Sequence, residues 1–250
     1  MRPLFLLLAL LVGFTGQADA ADIKVLSTNA LTDVIGEVLP QFERRGHKVA
    51  IEFKPTNILM ERIRGGEQAD VLILGRQALL DLEKQGKIAA GTRADLAQSS
   101  VALAIRAGLP RPDISTPEAF KKALLASKGI ASSRVGLSGL HLMSVLDKLG
   151  IANEVKPKIR IVDGGGRTAE LIVKGEADMA VQLVSELLPV KGVQVVGPFP
   201  KGLDNTIVLT GGVSAGTKQA AAGKAFLAFL MEPAMLPVLK ANGMERPAGY

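Results

Sequence analysis

The sequence predicts an α/β protein of two lobes, each a mixed β-sheet flanked by helices, with a hinge and a ligand cleft between them. Strand-like and helix-like patterns alternate along the chain, which is typical of sheets covered by helices. Residues 57–74 are similar to residues 167–183, because each segment gives a short helix, a basic residue, glycine and an acidic Ala-Asp turn before an apolar strand. The length of 250 residues suits two lobes of roughly a hundred residues each.

The spacing of apolar residues predicts the strands and helices in the first half of the chain. The runs IKVLS and HKVAIEF predict strands, and LTDVIGEVLPQFER between them has the apolar spacing of a helix. A helix over residues 58–64, the buried strand ADVLILG and a helix through Leu79 and Leu82 follow. SVALAIRAG comes next, and the segment STPE carries the start signals of another helix.

The second half repeats this alternation and ends in a helical segment. SRVGLS, KIRIV, DMAVQL and VQVVGPF are strand-like, whereas LMSVLDKLG and AELIVKG are helix-like. We predict one lobe from residues 21–104 and 205–250 and a second from 105–204, with the hinge at the proline- and glycine-containing segments 104–112 and 197–210. An eight-stranded α/β barrel is the alternative, and the small number of regular repeats disfavours it.

The first twenty residues have the pattern of a secretory signal. A positive residue, Arg2, precedes the apolar run 4–14, and Ala18-Asp19-Ala20 is a small-x-small cleavage site. We therefore predict that residues 1–20 are a signal peptide and that the mature protein is exported. A retained membrane anchor is the alternative, but the apolar run is short for a bilayer. The chain has no cysteine, which excludes disulfides, thiolate chemistry and a lipid-anchored cleavage site.

The amino-acid composition favours some classes of binding partner and disfavours others. The chain is 48% hydrophobic and 22% charged, so it can bury an ordinary core, and its net charge of +6 favours encounter with anions. Lysine and arginine are scattered and aromatic residues make up only 4%, so nucleic acid is not an expected partner. No His, Cys and carboxylate cluster has ligand spacing, so neither a metal nor a cofactor is expected. We expect a monomer.

Four junctions from a strand to a helix carry small polar residues: LSTNAL, KPTNIL, GLSGLHLM and DGGGRT. Ligands of open α/β sheets bind outside the carboxyl ends of the strands, where such junctions lie. Backbone N–H groups at helix N-termini also favour anions. Helix capping explains each junction alone, whereas four of them in two similar lobes indicate a binding site. The candidate ligand-binding residues in these junctions are Ser27, Asn29, Ala30, Thr56, Asn57, Ser138, Gly139, Gly166 and Arg167.

An enzymatic alternative rests on Ser138 and His141, three residues apart, which suggest a nucleophile and its base. The chain has no G-x-S-x-G elbow and no evident carboxylate partner for this pair. The glycine run lacks the Lys-Ser/Thr ending of a phosphate-binding loop and does not match G-x-G-x-x-G. A secreted hydrolase or phosphoryl-handling enzyme is therefore the second hypothesis, behind a protein that holds an anion without catalysis.

Most of the mature chain resembles a known family. The segments VLSTNALTDVIGEVLPQFE, EQADVLIL and VGLSG…LDKLG, with the C-terminal FLAFLMEPAMLPVLKANGMERP, are similar to substrate-binding proteins of ABC importers, especially the periplasmic molybdate-binding branch. The resemblance implies a type II periplasmic-binding-protein fold that closes on a small anion and delivers it to an ABC permease in the inner membrane. It also implies the periplasm as the destination of the exported protein. The sequence does not distinguish an importer subunit from a ligand sensor that acts through a membrane receptor.

The family's binding positions map onto this chain with two departures. A serine that family members present after the first strand falls on Ala30, and the tyrosine that completes the molybdate site falls near Leu183. Neither side chain can donate a hydrogen bond. The expected ligand is therefore open between a molybdate- or tungstate-like oxyanion and a small organic carboxylate, which Arg167 and Gln182 would suit. Donors that the resemblance retains are Asn29, Thr56, Ser138, Gly139, Gly166 and Arg167.

Overall fold

A computed structural model describes residues 22–163 and 167–248. The predicted signal peptide and the candidate Gly166 lie outside this range. The strands are β1 Asp22–Thr28, β2 Lys48–Lys54, β3 Val71–Gly75, β4 Ala94–Arg106, β5 Ile130–Ser133, β6 Ile159–Val162, β7 Met179–Leu183, β8 Val193–Pro198 and β9 Thr206–Val213. The helices are α1 Thr32–Glu43, α2 Thr56–Arg64, α3 Arg76–Lys84, α4 Pro117–Ala126, α5 Leu137–Lys148, α6 Ala152–Val155, α7 Ala169–Lys174, α8 Val184–Leu187, α9 Ala220–Met231 and α10 Met235–Ala241, with short 3₁₀ turns at Asn29–Leu31 and Lys156–Lys158.

The strands form two mixed groups that share β4. Strands β2, β1 and β3 are parallel, and β9 joins β3 antiparallel. Strands β6, β5 and β7 are parallel, and both β7 and β8 pair antiparallel with β4. The order β2-β1-β3-β9-β4-β7-β5-β6 is open at both ends, which contradicts the barrel alternative for the described residues. The predicted mixed sheets flanked by helices are therefore confirmed.

Strand β4 is 13 residues long and changes partners at its middle. Residues 94–100 pair with β9, whereas residues 101–106 pair with β7 and β8. The chain returns to the first group between β8 and β9. The lobe boundaries at 104 and 205 remain a prediction; the partner change itself falls between Ser100 and Val101.

The second-half strand predicted at SRVGLS is wrong in position, because β5 is Ile130–Ser133. The Ser133 hydroxyl accepts a hydrogen bond from the Gly136 backbone N–H at 2.9 Å, which closes a turn where the strand was expected. Helix α5 then begins at Leu137, so Ser138 and Gly139 lie in its first turn and not ahead of it. The run IASS has only one large apolar residue, which explains why apolar periodicity missed it.

Aliphatic residues fill the interior around both groups of strands. All five residues of β3 and all five of β7 are buried, as expected for central strands covered on both faces. Helix α1 buries Val34, Ile35 and Val38 against the first group. Among the described residues, no single helix is long and apolar enough to cross a membrane; only α9 and α10 taken together, with a 65° bend, pass on length and composition.

Candidate functional site

A small cavity lies where the carboxyl ends of strands from both groups meet. Its volume is about 30 Å³. Strands β1, β5 and β7 end at it, and α2 and α5 begin at it, which is the position predicted for ligands of open sheets. Its lining residues are Thr28, Asn29, Ala30, Pro55, Thr56, Ser133, Gly136, Leu137, Ser138, Gln182, Leu183, Glu186, Ile207 and Leu209.

Two helix N-termini, one from each group of elements, face this cavity. Helix α2 begins at Thr56 and α5 at Leu137, and within the part of the chain that the structure describes neither has a side-chain cap. The first backbone N–H groups of a helix have no intrahelical acceptor and carry partial positive charge. The cavity therefore has positive dipole ends on opposite sides.

Two hydroxyls in the cavity wall have no hydrogen-bond partner among residues 22–163 and 167–248. Thr28 is 6% exposed and Ser138 is 4% exposed, so both residues are buried. Thr56 and Ser133 also line the cavity; their hydroxyl oxygens accept from the backbone N–H groups of Gly75 at 3.2 Å and Gly136 at 2.9 Å. Each accepting hydroxyl still has a hydrogen to donate. The wall is thus rich in donors that a buried ligand could satisfy.

Gln182, which the sequence predicted as a ligand donor, lines the cavity and is held by its neighbours. Its side-chain oxygen accepts from the backbone N–H and the hydroxyl of Thr168, each at 2.9 Å. This fixes the amide orientation, and its nitrogen donates to Glu186 at 3.1 Å. Gln182 therefore positions Glu186 at the cavity wall.

Glu186 is a cavity residue that sequence reasoning missed. Its second carboxyl oxygen accepts from the backbone N–H of Leu183 at 3.3 Å, at the start of α8. Burial raises the pKa of Glu186 to about 7, against the opposing hydrogen bonds from Leu183 and Gln182. A glutamate three residues after the end of a buried strand is a capping-box signal, but Leu183 replaces the usual Ser or Thr at its first position.

Arg167 contacts the other group of elements and is not a cavity-lining residue. Its guanidinium donates to both carboxylate oxygens of Asp33 on α1, at 2.7 and 2.9 Å. Asn57 on α2 likewise reaches across, since its amide donates to the Val135 carbonyl at 3.0 Å. Both contacts join one wall of the cleft to the other.

Two further candidates lie beside the cavity without lining it. The Ser27 hydroxyl is fully buried and donates to the Thr28 carbonyl at 3.2 Å. Gly139 packs against β5, and a Cβ at this position would lie 1.9 Å from the Ser133 carbonyl oxygen. The predicted candidates that do line the cavity are Asn29, Ala30, Thr56, Ser138 and Gln182.

The Ser138–His141 pair forms no hydrogen bond within the described chain. A ring nitrogen of His141, Nε2, lies 2.7 Å from the Leu203 carbonyl oxygen, and the ring packs 5.6 Å from that of Phe199. The arrangement of a serine nucleophile with its histidine base is therefore not formed. Across residues 22–163 and 167–248, no group of three or more His, Asp or Glu side chains is arranged to hold a metal ion.

The contact between Arg167 and Asp33, which joins the two groups of elements, leads to a prediction. Their side chains are 31% and 34% exposed, so solvent screens the pair and we expect a contribution of at most about 1 kcal/mol. Arg167→Ala should weaken ligand binding by up to about fivefold, and less at high salt. Arg93→Ala is the control, because Arg93 pairs with Glu83 at similar exposure and neither residue lines the cavity. Equal losses in both variants, measured by calorimetry, would contradict a role in closure.

Comparison with known proteins identifies the family. The model of the family described as bacterial extracellular solute-binding protein matches residues 23–245. The chain belongs to this family. This solute-binding protein is 29% identical over 253 residues to an aconitate isomerase of a Pseudomonas species, covering 97% of this chain and 96% of that one. It is 24% identical to molybdate-binding protein ModA of Escherichia coli strain K12, covering 94% and 93%.

Solved structures agree on the fold of the solute-binding protein. The periplasmic molybdate-binding protein of Azotobacter vinelandii matches with a TM-score of 0.73 at 20% identity, covering 90% of this chain and 99% of that chain. The predicted type II periplasmic-binding-protein fold and the resemblance to molybdate-binding proteins are confirmed. The known relatives are mostly binding proteins, although one is named an isomerase.

Proposed function

We propose that the protein is the periplasmic solute-binding component of an ABC importer and that it captures a small anion by closure of two lobes. The observation that carries this proposal is the cavity wall, where the buried residues Thr28 and Ser138 have hydroxyls with no hydrogen-bond partner among the described residues. Because both residues line the cavity, a bound acceptor could supply the missing hydrogen bonds.

The sign of the ligand charge follows from the donors. The N-termini of α2 and α5 bring backbone N–H groups to the cavity from opposite sides, and Thr56 and Ser133 add hydroxyls. No lysine or arginine lines the cavity within the described chain, so recognition would rest on neutral donors and helix dipoles. Such a set suits an oxyanion or a carboxylate, whose oxygens only accept.

The size of the cavity limits the ligand. A volume of about 30 Å³ is far below the roughly 300–1,000 Å³ of sites for drug-sized molecules. In this conformation the site suits a molybdate- or tungstate-like oxyanion or a carboxylate of a few heavy atoms. A tricarboxylate would require the lobes to stand further apart.

Contacts across the cleft support the closure mechanism. Arg167 bonds to Asp33, and Asn57 bonds to the Val135 carbonyl, each joining one group of elements to the other. The Leu137 side chain also packs so closely over Gly75 that a Cβ there would lie 2.7 Å from it. Both walls would therefore hold one ligand, and neither wall alone would supply all the donors.

The partner and the compartment of this proposal rest on family membership. The solved relative from Azotobacter vinelandii is a periplasmic binding protein, which supports export of this chain and cleavage of residues 1–20. An ABC permease of the inner membrane would receive the ligand from the closed form. We infer a monomer with no cofactor.

A thermal-unfolding panel tests the ligand. We expect molybdate, tungstate, sulfate or a small carboxylate, present at about 100 times its dissociation constant, to add about 2.7 kcal/mol to the free energy of unfolding. For a chain of this size the melting temperature should rise by roughly 5–10 °C. Chloride at equal ionic strength is the control. If no anion in the panel raises the melting temperature above the chloride control, the proposed function is wrong.

Isomerisation of an unsaturated carboxylate is a second candidate function. Two observations favour it: the relative named aconitate isomerase spans 97% of this chain, and Glu186 is a cavity group able to exchange a proton near neutral pH. To test whether the protein isomerises aconitate, the purified protein is incubated with cis- or trans-aconitate and their interconversion is followed by chromatography. If the protein interconverts the two aconitates and Glu186→Gln abolishes this activity, the protein is an enzyme. If it binds aconitate without converting it, the proposed carrier function stands.

A further inference from the structure

Glu186 is the only ionisable side chain among the described residues that line the cavity. Its two oxygens accept from different donors, Gln182 Nε2 on one side and the Leu183 backbone N–H on the other. The carboxyl is therefore held in the wall by both neighbours and cannot easily turn away. A cavity built from donors for an anion thus contains an acidic group, and its protonation state decides whether it attracts or repels the ligand.

This inference rests on the proposed function. We propose that Glu186 is a neutral carboxylic acid in the loaded site and donates its hydrogen to the bound anion, so that the protein takes up one proton with each anion. In a cavity of about 30 Å³, an anion lies against every wall, including this carboxyl. An ionised carboxylate would repel it in a poorly solvated space, whereas the acid form adds one more donor.

The surroundings of Glu186 favour the acid form. Burial raises its pKa to about 7, so in the free protein this carboxyl is about half protonated at neutral pH and mostly protonated below it. The charged groups that act on it are Arg167, before α7, and Asp33, on α1, which have opposite effects and are paired with each other. Strand β7 contributes the uncharged Gln182, and no charged group of β4 or β8 acts on Glu186 in the described part of the chain.

Proton uptake gives the proposal a direct measurement. Calorimetric titrations of the mature chain with molybdate, sulfate and acetate, in buffers of different ionisation enthalpy, count the protons bound with each ligand. At about pH 8.5 the free carboxyl is ionised, so we expect close to one proton per anion. Affinity should fall by about tenfold per pH unit above about pH 8 and should be flat near pH 6.

The variant Glu186→Gln cannot ionise and can offer an amide N–H to the anion, although its single oxygen can accept from only one of Gln182 and Leu183. We expect binding at about pH 6 within a few-fold of the unmodified protein, no proton uptake, and no loss of affinity up to about pH 9. Glu170→Gln is the matched control, because it removes the charge of an exposed glutamate on α7. This control should keep the pH profile of the unmodified protein.

A stability profile separates loss of fold from loss of the proton. A raised pKa in the folded protein means that stability is full below the ordinary pKa of 4.5 and is lost as pH rises through about 7. Without ligand, the melting temperature of the unmodified protein should therefore fall relative to that of Glu186→Gln across this window. A variant that melts cooperatively at about pH 5 is folded, and its binding data then stand.

Three results would overturn the proposal. The first is the same pH profile and proton count in Glu186→Gln as in the unmodified protein, which would leave anion capture intact but remove this role of Glu186. The second is loss of binding in the folded variant at about pH 6, since the neutral amide should serve. The third is no binding of any of the three anions at any pH, which would overturn the proposed function as well.

Discussion

Replacing Ser138 with alanine should weaken anion binding by about 10- to 100-fold, because a hydrogen bond to a charged group contributes about 1.5–3 kcal/mol. The Ser138 residue is 4% exposed, lines the cavity, and has no hydroxyl partner among the described residues. The free protein should keep its stability, because the Ser138 hydroxyl makes no hydrogen bond among the described residues that the change could remove. Calorimetry with the anion that stabilises most in the panel measures the first effect, and thermal unfolding measures the second.

Ser144→Ala is the matched control for this experiment. Ser144 lies on the same helix, α5, but is exposed. It should leave both the affinity and the melting temperature unchanged. Equal affinity in Ser138→Ala and the unmodified protein would mean that the ligand does not reach the N-terminus of α5. Loss of turnover on an ester or phosphoester, with binding retained, would instead support the hydrolase hypothesis.

Gly139→Ala should destabilise the protein by about 3 kcal/mol, a fall in melting temperature of roughly 10 °C. Alanine in a helix normally stabilises relative to glycine. Here the added Cβ would lie 1.9 Å from the Ser133 carbonyl oxygen, so α5 would have to move away from the end of β5. Because Ser133 and Ser138 both line the cavity, the shift should weaken ligand binding too.

Gly36→Ala gives the matched comparison. Gly36 is exposed within α1, and no atom lies within 4 Å of a Cβ built there. This variant should raise the free energy of unfolding by roughly 0.5–1 kcal/mol, with no change in affinity. The same sign of effect in both variants, measured by denaturant unfolding, would mean that Gly139 is not tightly packed.

Local sequence patterns predicted the fold and the position of the cavity. Alternating periodicity gave the longer helices and the described strands other than β5 and β9, and the small polar residues after β1, β2 and β5 lie at the edge of the sheets where the cavity is. A helix start and a polar cavity wall use the same residue types, which is why Thr56 and Ser138 could be found from the sequence.

What the sequence missed depends on contacts between distant segments. The contact of Arg167 with Asp33 joins residues 134 positions apart, and no local pattern encodes it. Glu186 was missed because its partners are a backbone N–H and Gln182, neither of which makes a recognisable motif. Gly139 was assigned to the ligand because a glycine at a helix start suits an anion, whereas the structure shows it packed against a backbone carbonyl.

The strand β4 has a consequence for how the protein would open. At the change of partners, the Val101 backbone N–H donates to the Asn205 carbonyl at 2.9 Å, and the Val101 carbonyl accepts from Phe199 at 3.3 Å. The two connections between the two groups of strands are thus tied side by side, and we expect them to bend together about a single axis without twisting freely. Such a pivot leaves few alternative open arrangements, so closing it costs little conformational entropy. Most of the free energy of the ligand's contacts would then remain available as affinity.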